Sequence, residues 1–288
     1  MKIGVVMDPI ESINFKKDST LAMMLEAQSR KHQLFYMTPD SLYINEKGAF
    51  AIAKTLQVKN DPTGWFDFKE EKQIKLSELD VILMRQDPPF NSNYIYNTYV
   101  LESAEKEGVL VVNKPSSLRD CNEKVFATEF PECCTPFLVT SDPNLLKSFI
   151  EDHGDTVIKP LDGMGGSSIF RLRYSDPNLN VILETITESF TTKVMIQTYI
   201  PEITDGDKRI LLINGNPMDA AVARVPAEGE LRGNLAAGAS AVARSLTEKD
   251  LWICEQVGPR LKELGLVLVG LDIIGNHLTE INVTSPTG

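Results

Sequence analysis

The stretch Lys159-Pro160-Leu161-Asp162-Gly163-Met164-Gly165-Gly166-Ser167-Ser168 follows an apolar run ending at Ile158 and precedes another from Ile169 to Leu172. Glycines 163, 165 and 166 permit positive φ and let backbone N–H groups approach an anion closely, while Lys159 adds a point charge at the loop entrance. Taken alone, the segment fits an ordinary connection between two strands equally well. It is neither a GxxxxGK[ST] nor a GxGxxG loop, so the common phosphate-binding α/β fingerprints do not apply.

Toward the C-terminus, Gly270 to Val283 reads as two apolar strands around Gly275-Asn276. Glu280 and Asn282 are two apart and share a face. Asp272 joins them only if residues 272 and 280 lie opposite each other, which implies a three-residue turn of Gly275, Asn276 and His277. A two-residue turn would put the two acids on opposite faces. Such oxygens converging from one hairpin suit Mg²⁺, a hard cation that bridges substrate phosphates; the alternative is a solvated polar face. Arg209 and Arg224 sit near the ends of apolar runs on a second hairpin around Asn214-Gly215-Asn216, where a guanidinium can meet a carboxylate or phosphate bidentately. Pro226 to Gly238 lacks an apolar period and reads as either a mobile lid or a floppy connection.

Before residue 113 the pattern changes. Strand runs at Ile3 to Met7, Leu34 to Met37, Val81 to Met84 and Val109 to Val112 alternate with helical patterns from Ser19 to Arg30 and Tyr94 to Lys106. That alternation predicts a mainly parallel open sheet whose ligand groups lie at the carboxyl ends of strands, where Asp8, Asp18, Ser19 and Arg85 fall. A boundary fits near Asn113 to Ser116, with a helical stretch expected from about Asn122. Beyond it, runs at Thr156 to Lys159, Ile169 to Leu172, Lys193 to Ile200, Arg209 to Ile213, Met218 to Val225 and Leu266 to Ile274 read as more antiparallel.

The 288 residues carry a net charge of −11, which disfavours nucleic acid and anionic membrane and requires any anionic ligand to be held by a local cationic pocket. MKIGVVMDPI is too short and too soon interrupted to be a signal sequence, so cytoplasm is the default. Four cysteines without CxxC spacing and three scattered histidines suggest neither zinc nor a disulfide framework.

Together these features resemble an ATP-grasp carboxylate-amine ligase. An ordered series of strings is similar, over essentially the whole chain, to the bacterial glutathione synthetase family: MDPI at Met7, KKDS at Lys16, MRQDPPF at Met84, NKPSSLRDCNEK at Asn113, KPLDGMGG at Lys159, DGDKR at Asp205, RGNLAAG at Arg232, and GLDIIG with LTEINVTSPTG at the end. The resemblance implies an α/β and α+β chain of three parts. These are an N-terminal open parallel α/β (pre-ATP-grasp) domain at 1–122, an ATP-grasp lid at 123–200 and a C-terminal antiparallel-sheet domain at 201–288.

The resemblance further implies ATP contacts from Lys124, Lys159, Gly163, Met164, Gly165, Gly166, Gln197, Tyr199, Ile200 and Asp207, and magnesium, with manganese as a substitute, on Asp272, Glu280 and Asn282. Around γ-glutamylcysteine and glycine it places Asp18, Ser19, Arg85, Arg209, Arg224, Arg232, Val283, Thr284 and Ser285, with Arg209, Lys159 and Arg232 catalytic. A homotetramer is expected. The alternatives from the same fold are a D-alanine or glutamate ligase, or a catalytically idle ATP-binding regulatory protein. Two departures stand out: Ala239 to Arg244 is less glycine-rich and less charged than the family loop, and the family implies further helical structure beyond Gly288.

Overall fold

A computed structural model describes residues 1–163, 166–227, 233 and 238–287. The first unit is built on β1 (Lys2–Met7), α1 (Ser19–Ser29), β2 (Gln33–Met37), β3 (Leu42–Asn45), β4 (Gly48–Val58), β5 (Phe66–Lys75), β6 (Val81–Arg85), α2 (Ser92–Lys106), β7 (Leu110–Val112) and α3 (Pro115–Asp120). Strands β2, β1, β6 and β7 are parallel neighbours, as the alternation predicts. The antiparallel set β3–β4–β5 joins through β4 against β2 and was not anticipated. α1 starts where Asp18 Oδ1 accepts from Leu21 N at 2.6 Å, leaving Asp18 at the mouth of the sheet. The helix expected from Asn122 lies earlier, as α3. After it come only short 3-10 turns at Phe126–Glu129 and Pro131–Cys133, because Pro131 and Pro136 interrupt longer helical pairing.

The second sheet is antiparallel, in the order β10 (Phe170–Arg173), β9 (Asp155–Pro160), β11 (Val194–Thr198), β8 (Phe137–Thr140), with α4 (Pro143–His153) and α5 (Leu179–Ile186) on it. It has its own core of Leu146, Ile150, Ile158, Leu172, Leu183 and Ile196. At its edge Asp155 accepts from Arg171 at 2.5 and 2.8 Å and from Arg173 at 2.8 Å. The Arg171 hydrogen bonds, followed by those of Arg173, hold its carboxyl down at about 2 against the opposing effect of burial. Because the folded value lies below the unfolded one, the stabilisation is complete above about pH 4 and is lost as pH falls toward 2. Asp155→Asn should therefore flatten the acid limb of stability in that window. Solvent screening at this partly exposed pair keeps the loss at pH 7 under about 1 kcal/mol, and acid titration of unfolding followed by circular dichroism checks it.

The third sheet runs β15 (Ser240–Ser245), β14 (Ala220–Val225), β12 (Asp207–Ile213), β16 (Leu268–Ile274), β17 (His277–Asn282), with β13 (Asn216–Pro217) paired to β12 and α6 (Glu248–Glu263) behind it. The Asn214-Gly215 turn has φ 48° and 71°, the left-handed pair that a two-residue hairpin demands. One continuous core joins this sheet to the first, from Val6, Ile82 and Leu101 through to Leu212, Val257 and Ile281. Asn113 clasps the seam: its Nδ2 donates to Leu268 O at 2.7 Å and Val283 O at 2.6 Å, and its Oδ1 accepts from Leu268 N at 2.8 Å. The middle sheet, with its separate core, faces the third across a cleft. Among the described residues no helix is long and apolar enough to cross a membrane.

Candidate active site

The cleft has a volume of about 700 Å³ and runs from the end of β11, between β9 and the β16–β17 hairpin, to the loop after β6. β9 brings Lys159 in from one wall and the segment after α3 brings Lys124 from another; both are nearly fully buried. Lys159 Nζ lies 3.4 Å from Glu280 Oε1 and donates to Thr279 O at 3.3 Å. Lys124 Nζ donates to Glu123 Oε1 at 2.8 Å and Gly163 O at 2.9 Å, with Glu280 Oε1 at 3.8 Å. Burial works to lower the Lys124 ammonium, but Glu280 and Glu123 outweigh it and hold it above its ordinary value. Two cations thus meet one carboxylate in a space that polyphosphate can enter.

Strand register supplies the rest. Across β12, β16 and β17, Arg209, Asp272 and Glu280 lie side by side. The turn of this hairpin is the two-residue Gly275-Asn276, since Ile274 pairs with His277. Asp272 nevertheless faces Glu280 because a bulge gives β17 one extra residue, Thr279, whose Oγ1 donates to Asp272 O at 3.0 Å. The expected three-residue turn is therefore replaced by a two-residue turn plus a bulge, with the same convergence of acids.

Arg209 Nη2 donates to Asp272 Oδ2 at 2.9 Å and its Nε to Oδ1, a bidentate pair. Arg224 Nη2 bridges Asp207 and Asp272, the latter at 2.9 Å, and Asn282 Nδ2 donates to Asp272 Oδ2 at 3.2 Å. Burial, then the charge of Asp272, pushes the Asp207 carboxyl above the usual carboxylate range. Burial acts on Asp272 too, but Arg209 and Arg224 together hold it below that range. Asp207 Oδ1 and Arg224 Nε are buried without a hydrogen-bond partner among the described residues. Gly270 makes room for this arrangement, because a Cβ there would stand 2.8 Å from Arg209 Cδ.

At the far end, Arg85 at the close of β6 is 4% exposed; its Nε donates to Thr20 Oγ1 at 3.0 Å and its Nη2 to Pro286 O at 2.9 Å. Ser285 Oγ in turn donates to Arg85 O at 3.4 Å.

Of the residues singled out in the sequence, Lys124, Lys159, Gly163, Gly166, Gln197, Tyr199, Ile200, Asp207, Arg209, Asp272, Glu280, Asn282, Thr284 and Ser285 line the cleft. Arg224 stands behind them, and Asp18 and Ser19 open α1 beside Arg85's partner Thr20. Val283 does not face the cleft: its side chain is in the core and its carbonyl is taken by Asn113. Met164, Gly165 and Arg232, and most of the expected lid at 226–238, lie outside the described residues. Glu123, which pairs with Lys124, and Asn122, whose Nδ2 donates to Leu161 O at 2.9 Å at the root of the glycine loop, are further site residues that the sequence alone does not single out. Both stand in the NEK string, where adjacency to Lys124 was the available signal.

Burial pushes the thiols of Cys121 and Cys133 up to about 11 and those of Cys134 and Cys254 to about 12, so none is an activated nucleophile. The chemistry available is that of opposed cations and carboxylates around a polyanion.

Residues 1–119 match the family model for the N-terminal domain of prokaryotic glutathione synthetase, and residues 123–288 match that for its ATP-grasp domain. The chain belongs to the prokaryotic glutathione synthetase family. Glutathione synthetase of Pseudomonas putida is 59% identical over 287 residues, covering 100% of this chain and 90% of the relative. That of Vibrio parahaemolyticus is 56% identical, covering 100% and 91%. Among solved structures, D-cycloserine synthetase DcsG aligns with a TM-score of 0.67 at 13% identity, covering 99% of this chain and 92% of that one. D-alanyl-alanine synthetase A of Vibrio cholerae aligns at 0.57 and 12%, covering 99% and 89%. At those identities the likeness is one of fold alone. As a member of the prokaryotic glutathione synthetase family, the chain is an ATP-dependent ligase.

Proposed function

We propose that the chain joins γ-glutamylcysteine to glycine, with ATP converted to ADP and phosphate. The observation that carries this reading is the meeting of Lys124 and Lys159 with Glu280, on the face that also presents Asp272 and Asn282. A carboxylate is a poor electrophile, so its oxygen first attacks the γ-phosphorus of ATP and ADP leaves. The glycine nitrogen then attacks the carbonyl carbon of the acyl phosphate, and phosphate departs with the former carboxylate oxygen. In this scheme Lys124, Lys159 and the glycine loop with Met164 hold phosphates, Gln197, Tyr199 and Ile200 hold the adenine side and Asp207 contacts the ribose. Arg209, with Arg232, faces the oxyanion of the tetrahedral intermediate. Arg85, Asp18, Ser19, Thr284 and Ser285 hold the acid.

Asp272, Glu280 and Asn282 offer an all-oxygen donor set of two carboxylates and an amide. That fits Mg²⁺, or Mn²⁺ in its place, which binds through one or two carboxylates with phosphate oxygens completing the shell. Among the described residues no group of three His, Cys, Asp or Glu is arranged to hold a metal without such help. When bound, the ion neutralises phosphoryl charge and orients the γ-phosphate. The same reading places the enzyme in the cytoplasm as a homotetramer, with domains at 1–122, 123–200 and 201–288, and without nucleic-acid or membrane partners.

Gly270→Ala should displace Arg209 from Asp272 and lower kcat by about 10- to 100-fold, as expected for a misplaced positioning group, with little change in ATP affinity; a wild-type kcat would remove Arg209 from the chemistry. The mechanism is tested by supplying γ-glutamylcysteine with ¹⁸O in its cysteinyl carboxylate. One ¹⁸O should appear in the released phosphate, and unlabelled phosphate would contradict the acyl-phosphate route.

A further inference from the structure

Three strands of the middle sheet present one row of side chains to the cleft. Arg171 on β10 pairs with Val157 on β9, which pairs with Gln197 on β11, and all three line the cleft. Lys159 is two residues from Val157 and on the same face, about 7 Å along the strand. Asp155 lies two residues the other way, and Tyr199 two beyond Gln197. The wall therefore runs from Lys159 through Val157 and Gln197 to a closing set of Asp155, Arg171 and Tyr199.

In that set Arg171 reaches across β9. Its Nε and Nη2 donate to the two Asp155 carboxylate oxygens at 2.8 and 2.5 Å, and its Cζ lies 3.7 Å from the centroid of the Tyr199 ring. Asp155 thus grips Tyr199 twice: its carbonyl accepts the Tyr199 N–H at 2.9 Å, and its carboxylate fixes the guanidinium stacked on the ring. A partly exposed Arg–Asp pair contributes little to stability, so the two-point grip is not explained by holding the sheet together. What the grip does fix is the plane of an aromatic side chain in the cleft wall. A flat ligand group that meets a ring already held costs less ordering entropy than one that must order the ring itself.

We infer that Arg171 is a positioning residue for the nucleotide base: held by Asp155 and stacked on Tyr199, it sets the ring that closes the base end of the cleft. This rests on the proposed function only for the place of the adenine, at Gln197, Tyr199 and Ile200. Arg171 acts on the base through Tyr199, while the phosphates are held by Lys124 and Lys159 further along the cleft.

The test measures, by calorimetry, dissociation constants for Mg·ATP and for magnesium tripolyphosphate, which carries the phosphates without the nucleoside. Neither acid nor amine is present. Arg171→Ala should weaken Mg·ATP about 3- to 30-fold, the scale of a cation–π contact expressed as affinity, and leave tripolyphosphate unchanged. Tyr199→Ala should weaken Mg·ATP at least as much. Adding Arg171→Ala to Tyr199→Ala should then change the constant by less than about twofold, because the two side chains act as one unit. Asp155→Asn, whose stability loss at pH 7 is small, should shift Mg·ATP in the same direction with tripolyphosphate unchanged, and serves in place of an Arg171→Ala that does not fold. Wild-type affinity for Mg·ATP in a folded Arg171→Ala would overturn the inference. So would an equal loss for tripolyphosphate, or a double variant whose losses add. A chain that binds Mg·ATP as expected but releases no ADP with γ-glutamylcysteine and glycine would break the functional reading and leave this inference standing, since the binding measurement uses neither substrate.

Discussion

Glu280→Gln lowers turnover by about 10³-fold, an expectation built on loss of several kcal/mol of charge stabilisation at the phosphoryl group, while leaving the fold intact. The substitution keeps the size of the side chain and removes its charge. Both ammonium groups retain other acceptors, Glu123 Oε1 and Gly163 O for Lys124 and Thr279 O for Lys159, so neither is left stranded. The backbone of residue 280 stays paired across from Asp272. ATP should still bind, since the cationic walls are untouched, but the nucleotide should no longer be oriented for transfer. Steady-state kinetics with Mg²⁺, alongside a melting curve, separate the two effects. Near-wild-type turnover in a folded variant would remove Glu280 from the metal set.

Asp272→Ala carries the largest effect on stability. Asp272 is 4% exposed and anchors Arg209 through two bonds, Arg224 through one and Asn282 through one. Removing one member of a buried pair costs about 3–5 kcal/mol because the remaining charge has no compensation. Here two guanidiniums lose their common acceptor. Asp207 offsets part of this: burial and the Asp272 charge now push its carboxyl up, and without Asp272 it ionises more readily beside Arg224. The expected loss therefore sits near the lower end, about 3 kcal/mol, and turnover falls with it. Chemical denaturation at neutral pH gives the number. A loss under about 1 kcal/mol would mean that water or rearrangement already satisfies the arginines.

The parts of the fold legible in the sequence were those with an undisturbed period. The alternation of apolar runs with helical patterns located β1, α1, β2, β6, α2 and β7 to within a few residues. The antiparallel excursion is hidden because three of the buried positions on β4 are small, Ala49, Ala51 and Ala53, which carry little hydrophobic signal, and only Leu56 and Val58 near its end are larger. β5 reads Phe-Asp-Phe-Lys-Glu-Glu-Lys-Gln-Ile-Lys, an exposed, charged edge whose composition resists pairing with other chains and equally resists recognition as a strand. α6 contains Gly258 and Pro259, which read as breakers, although its start is marked by the reciprocal Thr247–Asp250 cap.

At the site, residue types were legible and register was not. The spacing of Glu280 and Asn282 fixes one face of a strand, but whether Asp272 joins it depends on a bulge at Thr279 that no local composition announces. Arg209 and Arg224 stood out as cations at strand ends; that they share Asp272 follows from the order β14–β12–β16, which is a property of topology.

The most direct test of the central claim is ADP release from Mg·ATP with γ-glutamylcysteine and glycine supplied separately and together, the peptide product being identified by mass. The account predicts rapid ADP release only when both are present, with glutathione as the product. Release that requires a different acid and amine, or no release with this pair, would contradict it.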